Sequence, residues 1–284
     1  MKLQYLGTAA AEGIPALFCN CPVCKKSREA GGRNYRSRAQ ALVNDDLLLD
    51  FGPDTYWHVC RFGLDLTKVR ACLITHGHED HFLPSDIAFR EHGYAYLRGD
   101  FDDDDAGAPP LEVYLSAETL NHPNYQNYVE KLRTDAAFAL HPVRAFEPFS
   151  VGGYTVTALT AHHAPGFGAL IYIISDGKST LLYAHDTGLF PEDTMAYLEK
   201  NRPRFDFVSF DCTGAIHQCG QRHMNLRDNI EMRRRLEALG CVDEKTVCCC
   251  NHFSHNGRAT YDEFVPIAEK AGFLVSFDGM QTEF

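Results

Sequence analysis

Apolar residues recur along this chain in short runs bounded by turn residues, the pattern of buried strands. Strand-like runs lie at Leu3 to Leu6, Ala41 to Asp50, Ala71 to Thr75, Glu112 to Leu115, Thr155 to Thr160, Leu170 to Ser175, Leu181 to Ala184, Phe207 to Asp211 and Val247 to Asn251. Asn44-Asp45 and Asp176-Gly177 sit as turn dipeptides between apolar runs, predicting two hairpins and a sheet that is at least partly antiparallel. Helical spacing is clearest near the end. Thr260 and Glu263 form a capping box, Phe264, Ile267, Ala268 and Ala271 share one face, and Gly272 closes the helix. A second helix is predicted from Leu226 to Leu239, stopping at Gly240. Hairpins mixed with helices predict an α/β sandwich with helices covering sheet layers.

The 284 residues suffice for one large domain, and no linker or internal repeat divides them. The N-terminus lacks the apolar core of a signal peptide, and no run approaches the ~20 apolar residues needed to span a bilayer. A cytoplasmic protein without a membrane partner is expected. The formal charge of −11 argues against a nucleic-acid surface, which needs clustered Lys and Arg, but not against a small anionic substrate. The run Asp100 to Asp105 lacks the Gly and Glu spacing of an EF-hand loop and is expected to be a solvated surface loop.

Chemistry concentrates at strand ends. His76, His78, Asp80 and His81 follow the run Ala71 to Thr75, and four such side chains are costly to desolvate unless something binds them. His162 and His163 follow another run, Asp186 follows Leu181 to Ala184, and His252 follows Val247 to Asn251. Imidazoles with carboxylates suit Zn, Mn or Fe, and a carboxylate can bridge two ions about 3.5 to 4 Å apart. Eleven cysteines without an export signal point to metal ligation or reduced thiols rather than disulfides. Cys248, Cys249 and Cys250 fall in a strand and are expected to pack as small hydrophobes. Cys19, Cys21 and Cys24 have the spacing of a zinc knuckle lacking one ligand, for which His255 is the candidate.

The His-x-His-x-Asp-His motif, with the later His, Asp and His in this order, resembles the metallo-β-lactamase superfamily, and the likeness runs from Gly7 to Gly279. It implies a four-layer αββα sandwich formed by a single domain over 1–284, with the knuckle at 19–24. It also implies one metal held by His76, His78 and His162, a second by Asp80, His81 and His252, and Asp186 bridging them. Register with Gly166-Phe167-Gly168 favours His162 over His163. Asp50 matches an early Asp of the family that supports the ligand loop without binding metal. His185 stands where the family often has a small residue, and either lines the pocket or turns into the core.

The knuckle, paired with His252-Phe-Ser-His255, is similar to the phosphoribosyl cyclic phosphodiesterase group of that superfamily and to the related coenzyme PQQ-biosynthesis B proteins. The first likeness implies a phosphodiesterase acting on small cyclic or compact diesters and yielding phosphomonoesters by a hydroxide shared between two divalent ions, Mn2+, Zn2+ or Fe. One structural Zn2+ and room for a homodimer go with it. Asp80 would orient the hydroxide, and His223 would contact phosphate or protonate the leaving group. Other classes are hydrolysis of a lactone or thioester, and a non-catalytic carrier like the PQQ-related proteins. A transfer-RNA nuclease uses a similar ligand set, but no basic arm is present. Residues 86–110 and 213–224 are expected to line the pocket and set selectivity.

Overall fold

The computed structural model describes residues 1–105, 107–218 and 220–284. The first sheet contains β1 (Lys2–Gly7), β2 (Gln40–Val43), β3 (Leu47–Leu49), β4 (Ala71–Leu73), β5 (Leu111–Ser116) and β6 (Phe138–Val143). The second contains β7 (Pro148–Val151), β8 (Tyr154–Thr160), β9 (Leu170–Ser175), β10 (Thr180–Ala184), β11 (Phe207–Asp211), β12 (Val247–Asn251) and β13 (Leu274–Val275). A last strand, β14 (Gln281–Glu283), returns to pair with β1 and completes two seven-stranded sheets. Each sheet changes from antiparallel to parallel pairing part-way across, at β3–β4 in one and β10–β11 in the other.

Both predicted hairpins form. Asn44 and Asp45 take φ of 45° and 67°, the left-handed pair that a tight β2–β3 turn demands, and short polar side chains tolerate it. In the β9–β10 turn, Asp176 accepts from the Lys178 and Ser179 amides while Gly177 supplies φ 82°.

Side chains alternate across each strand, and the layers follow from that period of two. Leu47 and Leu49 face the second sheet, joining Leu3, Tyr5, Tyr172, Ile174, Tyr183 and Phe207 in the inter-sheet core. Leu48 faces outward, into the outer cluster that also takes Val129 and Leu132 of the helix Gln126–Thr134. On the far side, Leu182, Val208 and Phe210 pack under Leu198, Met232, Leu236 and Phe264, from the helices Glu192–Asn201, Leu226–Ala238 and Tyr261–Lys270. Each such side chain contributes roughly 1.5–3 kcal/mol on burial. The layers are αββα. The cysteine triplet obeys the same alternation: Cys249 enters the inter-sheet core, while Cys248 and Cys250 face the helices.

The capping box of Thr260 and Glu263 is present in both directions, and Asn225 with Asp228 forms another that the sequence reading did not anticipate. The strands β6, β7, β13 and β14 were not anticipated either. β6 and β7 are half-exposed edge strands that carry Pro142 and Pro148, so neither apolar continuity nor clean alternation marks them. The acidic run is a loop of exposed turns, in which Asp105 meets His92 Nδ1 at 3.0 Å. Among the described residues no helix is long and apolar enough to cross a membrane.

Candidate metal centre

The site assembles where the parallel strands of both sheets end. Beyond β3, Asp50 is fully buried with φ 66°, and its carboxylate accepts from the Thr75 amide at 2.7 Å and the Thr75 hydroxyl at 2.9 Å. Its other oxygen lies 2.7 Å from His81 Nδ1, which aims Nε2 of that ring into the site. Phe51 donates to the His81 carbonyl, and Gly52 passes so close that a Cβ there would sit 2.0 Å from the Asp80 carbonyl oxygen. The 76–81 loop is thereby held against the end of β3.

The loop's side chains divide into two groups. His76 Nε2 lies 2.8 Å from His78 Nδ1, and His163 Nε2 lies 3.3 Å from the same atom. Asp80 approaches His81 Nε2 at 3.1 Å, and His252 stands within reach of both. Asp186, with φ 50°, sits between: its Oδ2 is 2.7 Å from His81 Nε2 and 2.9 Å from His252 Nε2, and its Oδ1 is 3.5 Å from His163 Nε2. His81 Nε2, His252 Nε2 and Asp186 Oδ2 are buried yet converge without hydrogen-bond geometry. Orphaned donor atoms around a carboxylate fit a divalent cation better than they fit one another.

Electrostatics draws the same division. Burial pushes His76 well below the usual imidazole range, and His163 down to about 4, so both stay neutral as ligation requires. Around His81 and His252 burial acts the same way but is outweighed. Asp80, Asp50 and Asp186 hold His81 well above its ordinary value, and Asp186 brings His252 up to about 10. Burial would raise the Asp186 carboxyl, but His252 and His81 keep it well below the carboxylate range.

His162 is not part of this arrangement. It is exposed, its amide donates to Thr187 Oγ1 at 3.0 Å and its carbonyl accepts from Gly188, which together turn the next residue inward. The expectation of His162 is therefore corrected to His163. His185 is resolved as a core residue: Nε2 meets Ser209 Oγ at 2.7 Å, and the ring packs on Tyr183 at 3.9 Å.

Two carboxylates escaped the sequence reading. Asp211 ends β11 fully buried, with Oδ2 3.1 Å from His223 Nδ1 and 3.5 Å from His252 Nδ1, while Oδ1 accepts from the amides of Thr213 and Met224. The signal that could have found it is the one that marked Asp50 and Asp186, an acid closing an apolar run. Burial opposes a proton on His223, but Asp211 outweighs it and raises this imidazole above its usual value. His223 reaches the site because Gly188 lets the Gln221 carbonyl approach; a Cβ there would lie 1.8 Å from that oxygen.

The second missed acid is Glu12, which contacts Ser254 Oγ and lies 3.6 Å from His255 Nε2. His255 Nδ1 is 3.4 Å from both Cys19 Sγ and Cys21 Sγ, and these atoms with that of Cys24 form one cluster. Cys21 caps the helix Pro22–Ala30, accepting from the Cys24 amide, with Pro22 at the first helical position. Three sulfurs and a nitrogen suit zinc in a closed tetrahedral site.

A cavity of about 320 Å³ opens over the histidines, lined by Glu12, Asp80, His163, His223 and Asn256 among others. Thr213 and His223 of the 213–224 stretch contribute to it as expected, but none of the described residues of 86–110 does. Phe89 and Leu97 of that stretch face a separate apolar cavity with Leu48, Phe51 and Leu66.

Residues 46–245 match the family described as the β-lactamase superfamily domain. This chain belongs to the metallo-β-lactamase superfamily. Its fold implies divalent metal ions, and the two histidine groups are where this chain gathers donors for them. Among solved structures, the metallo-β-lactamase fold is shared with a diphosphatase of the PhnP family, at TM-score 0.72, 22% identity and coverage of 100% of this chain and 97% of that one. It is shared also with zinc-bound PqqB from Methylobacterium extorquens, at TM-score 0.74, 18% identity and full coverage of both. Coenzyme PQQ synthesis protein B from Methylobacterium radiotolerans is 33% identical over 94 residues, 28% of this chain; the match spans 31% of that relative's length.

Proposed function

We propose that this metal-dependent hydrolase is a dinuclear phosphodiesterase for small cyclic or compact diesters. The observation that carries the proposal is Asp186, shared between His76, His78 and His163 on one side and Asp80, His81 and His252 on the other, beside a His223 held by Asp211. Mn, Zn or Fe suits such nitrogen and oxygen donors, and a bound pair supplies Lewis acidity and a water acidified towards neutrality. Asp80 faces the cavity and orients the attacking water by accepting its hydrogen bond. His223, its proton favoured by Asp211, stabilises the developing phosphoryl charge or delivers that proton to the leaving oxygen. Asp50 keeps His81 in place. Cys19, Cys21, Cys24 and His255 hold a structural zinc.

Similarity to coenzyme PQQ synthesis protein B favours a second reading, a carrier that binds rather than cleaves its ligand. The test is to load the protein with Mn2+ or Zn2+ and compare bis(4-nitrophenyl) phosphate and cyclic diesters with a lactone and a thioester. Diester cleavage that disappears in Asp186→Ala is expected. Lactone or thioester turnover without diester cleavage would replace the diester with a carbonyl substrate, and no turnover with metals bound would favour the carrier.

A further inference from the structure

Glu12 lines the catalytic cavity but does not join the metal donors: Asp80 and Asp186 lie among the histidines and Asp211 beneath His223, whereas Glu12 turns towards the knuckle. It stands on a turn pinned from several directions. The Ala10 amide donates to the Phe253 carbonyl at 2.9 Å, Arg38 Nε to the Ala11 carbonyl at 2.7 Å, and the Gly13 amide closes the turn on the Ala10 carbonyl at 3.0 Å. From there one carboxylate oxygen, Oε1, serves two residues of the facing loop. It accepts from the Ser254 hydroxyl, and His255 Nε2 lies 3.6 Å from it. Among the described residues Glu12 is the one carboxylate within ion-pair distance of that ring.

The knuckle decides what His255 can offer Glu12. Its Nδ1 sits 3.4 Å from Cys19 Sγ and from Cys21 Sγ, close to the roughly 3.5 Å edge of a tetrahedron built on zinc–sulfur and zinc–nitrogen bonds of about 2.3 and 2.0 Å. With Nδ1 given to a metal, Nε2 carries the ring proton and has to donate it. The separation from Glu12 becomes a hydrogen bond when the ring moves by about half an ångström. Ser254, on the other side, is tied to the catalytic loop: its amide donates to the Thr213 carbonyl at 3.3 Å, and the Thr213 hydroxyl donates to the His252 carbonyl at 2.8 Å. One carboxylate oxygen thus stands between a ligand of the knuckle and the segment that carries a donor of the catalytic centre.

We propose that Glu12 is a positioning residue that couples the knuckle to the substrate cavity. By accepting from His255 Nε2 and the Ser254 hydroxyl together, it locks the cavity wall formed by 10–12 and 252–256 only while the knuckle holds its zinc, so that knuckle occupancy sets substrate affinity. This rests on the structural zinc and the diester cleavage proposed above, and it gives the knuckle a part in function as well as in folding.

Cobalt loading reads the two kinds of centre apart, because the knuckle alone offers sulfur and so gives a thiolate-to-cobalt charge-transfer band. Glu12→Ala is expected to speed the loss of this band to EDTA about tenfold and, in zinc-loaded protein, to raise KM for bis(4-nitrophenyl) phosphate severalfold with kcat little changed. Glu12→Gln, whose amide oxygen still accepts, is expected to stay near the wild type in both. The double variant of Cys21→Ser with Glu12→Ala is expected to show no larger a rise in KM than Cys21→Ser alone. A wild-type protein without the band removes the knuckle zinc, and the coupling with it. Band loss at the wild-type rate in Glu12→Ala overturns the coupling; so does faster loss with KM unchanged, which confines Glu12 to the knuckle, and so do additive rises in KM. If no diester is cleaved, the diester function fails instead, and calorimetry of inorganic phosphate binding to zinc-loaded protein takes the place of KM. Weaker binding in Glu12→Ala that Glu12→Gln restores then supports the coupling, and equal binding overturns it.

Discussion

Asp211 Oδ2 lies 3.1 Å from His223 Nδ1 and 3.5 Å from His252 Nδ1, so one buried carboxylate orients imidazoles on two different loops. Outer carboxylates of this kind typically govern activity by 10- to 100-fold. Asp211→Asn is expected to lower kcat for a diester by about that factor, and the double variant with His223→Ala to lose less than the two single losses combined, the remainder acting through His252. Steady-state kinetics of the three variants measures the coupling; fully additive losses would separate the two residues.

Adjacent histidines give a sharper test of placement. His163→Ala is expected to weaken metal binding at the group containing His76 and His78, whereas His162→Ala, altering an exposed side chain, keeps both catalytic ions. Metal content by mass spectrometry after gel filtration reads the difference. Equal metal loss in both variants contradicts it.

The choice between these two residues shows where sequence reading stops. Leu47–Leu49, Leu170–Ser175 and the Thr260 cap were legible because the information is local: apolar continuity, a turn dipeptide, a box spanning four positions. His162 against His163 depends on how the backbone leaves β8, fixed by contacts to Thr187 and Gly188 far along the chain. Asp211 closes an apolar run as Asp50 and Asp186 do, but its role was hidden for a related reason, since nothing near it announces that His223 and His252 converge on it.

The knuckle predicts a different outcome from the catalytic groups. Cys21→Ser is expected to lose about one zinc per chain, lower Tm by several degrees and sensitise the fold to chelators, because closed sites contribute folding energy directly. Differential scanning calorimetry with and without EDTA checks this. An unchanged Tm and zinc content would mean that the thiols bind nothing.

His58 sets a pH dependence away from the metals. It is buried between Gln40 Oε1 at 2.6 Å and Ser37 Oγ at 2.7 Å, and burial lowers it to about 4. Above about pH 6.5 the ring is neutral whether folded or unfolded, so it costs nothing. As pH falls from there towards 4 the unfolded chain takes up a proton that the folded one refuses, and stability is lost. Urea unfolding between pH 7.5 and 4.5 is expected to show a shallower decline for His58→Gln than for the wild type. Parallel curves would assign the acid sensitivity to other groups.

Asp50, Asp186 and His252 all hold left-handed backbone, which costs a side-chain-bearing residue on the order of 1–3 kcal/mol. All three corners lie at the metal centre, so the strain is concentrated where a cation can offset it. A cell short of metal would then hold this protein in its least durable form, with the corners around the site the first to relax and the first open to proteases. Lifetime, and not only turnover, would follow the metal supply.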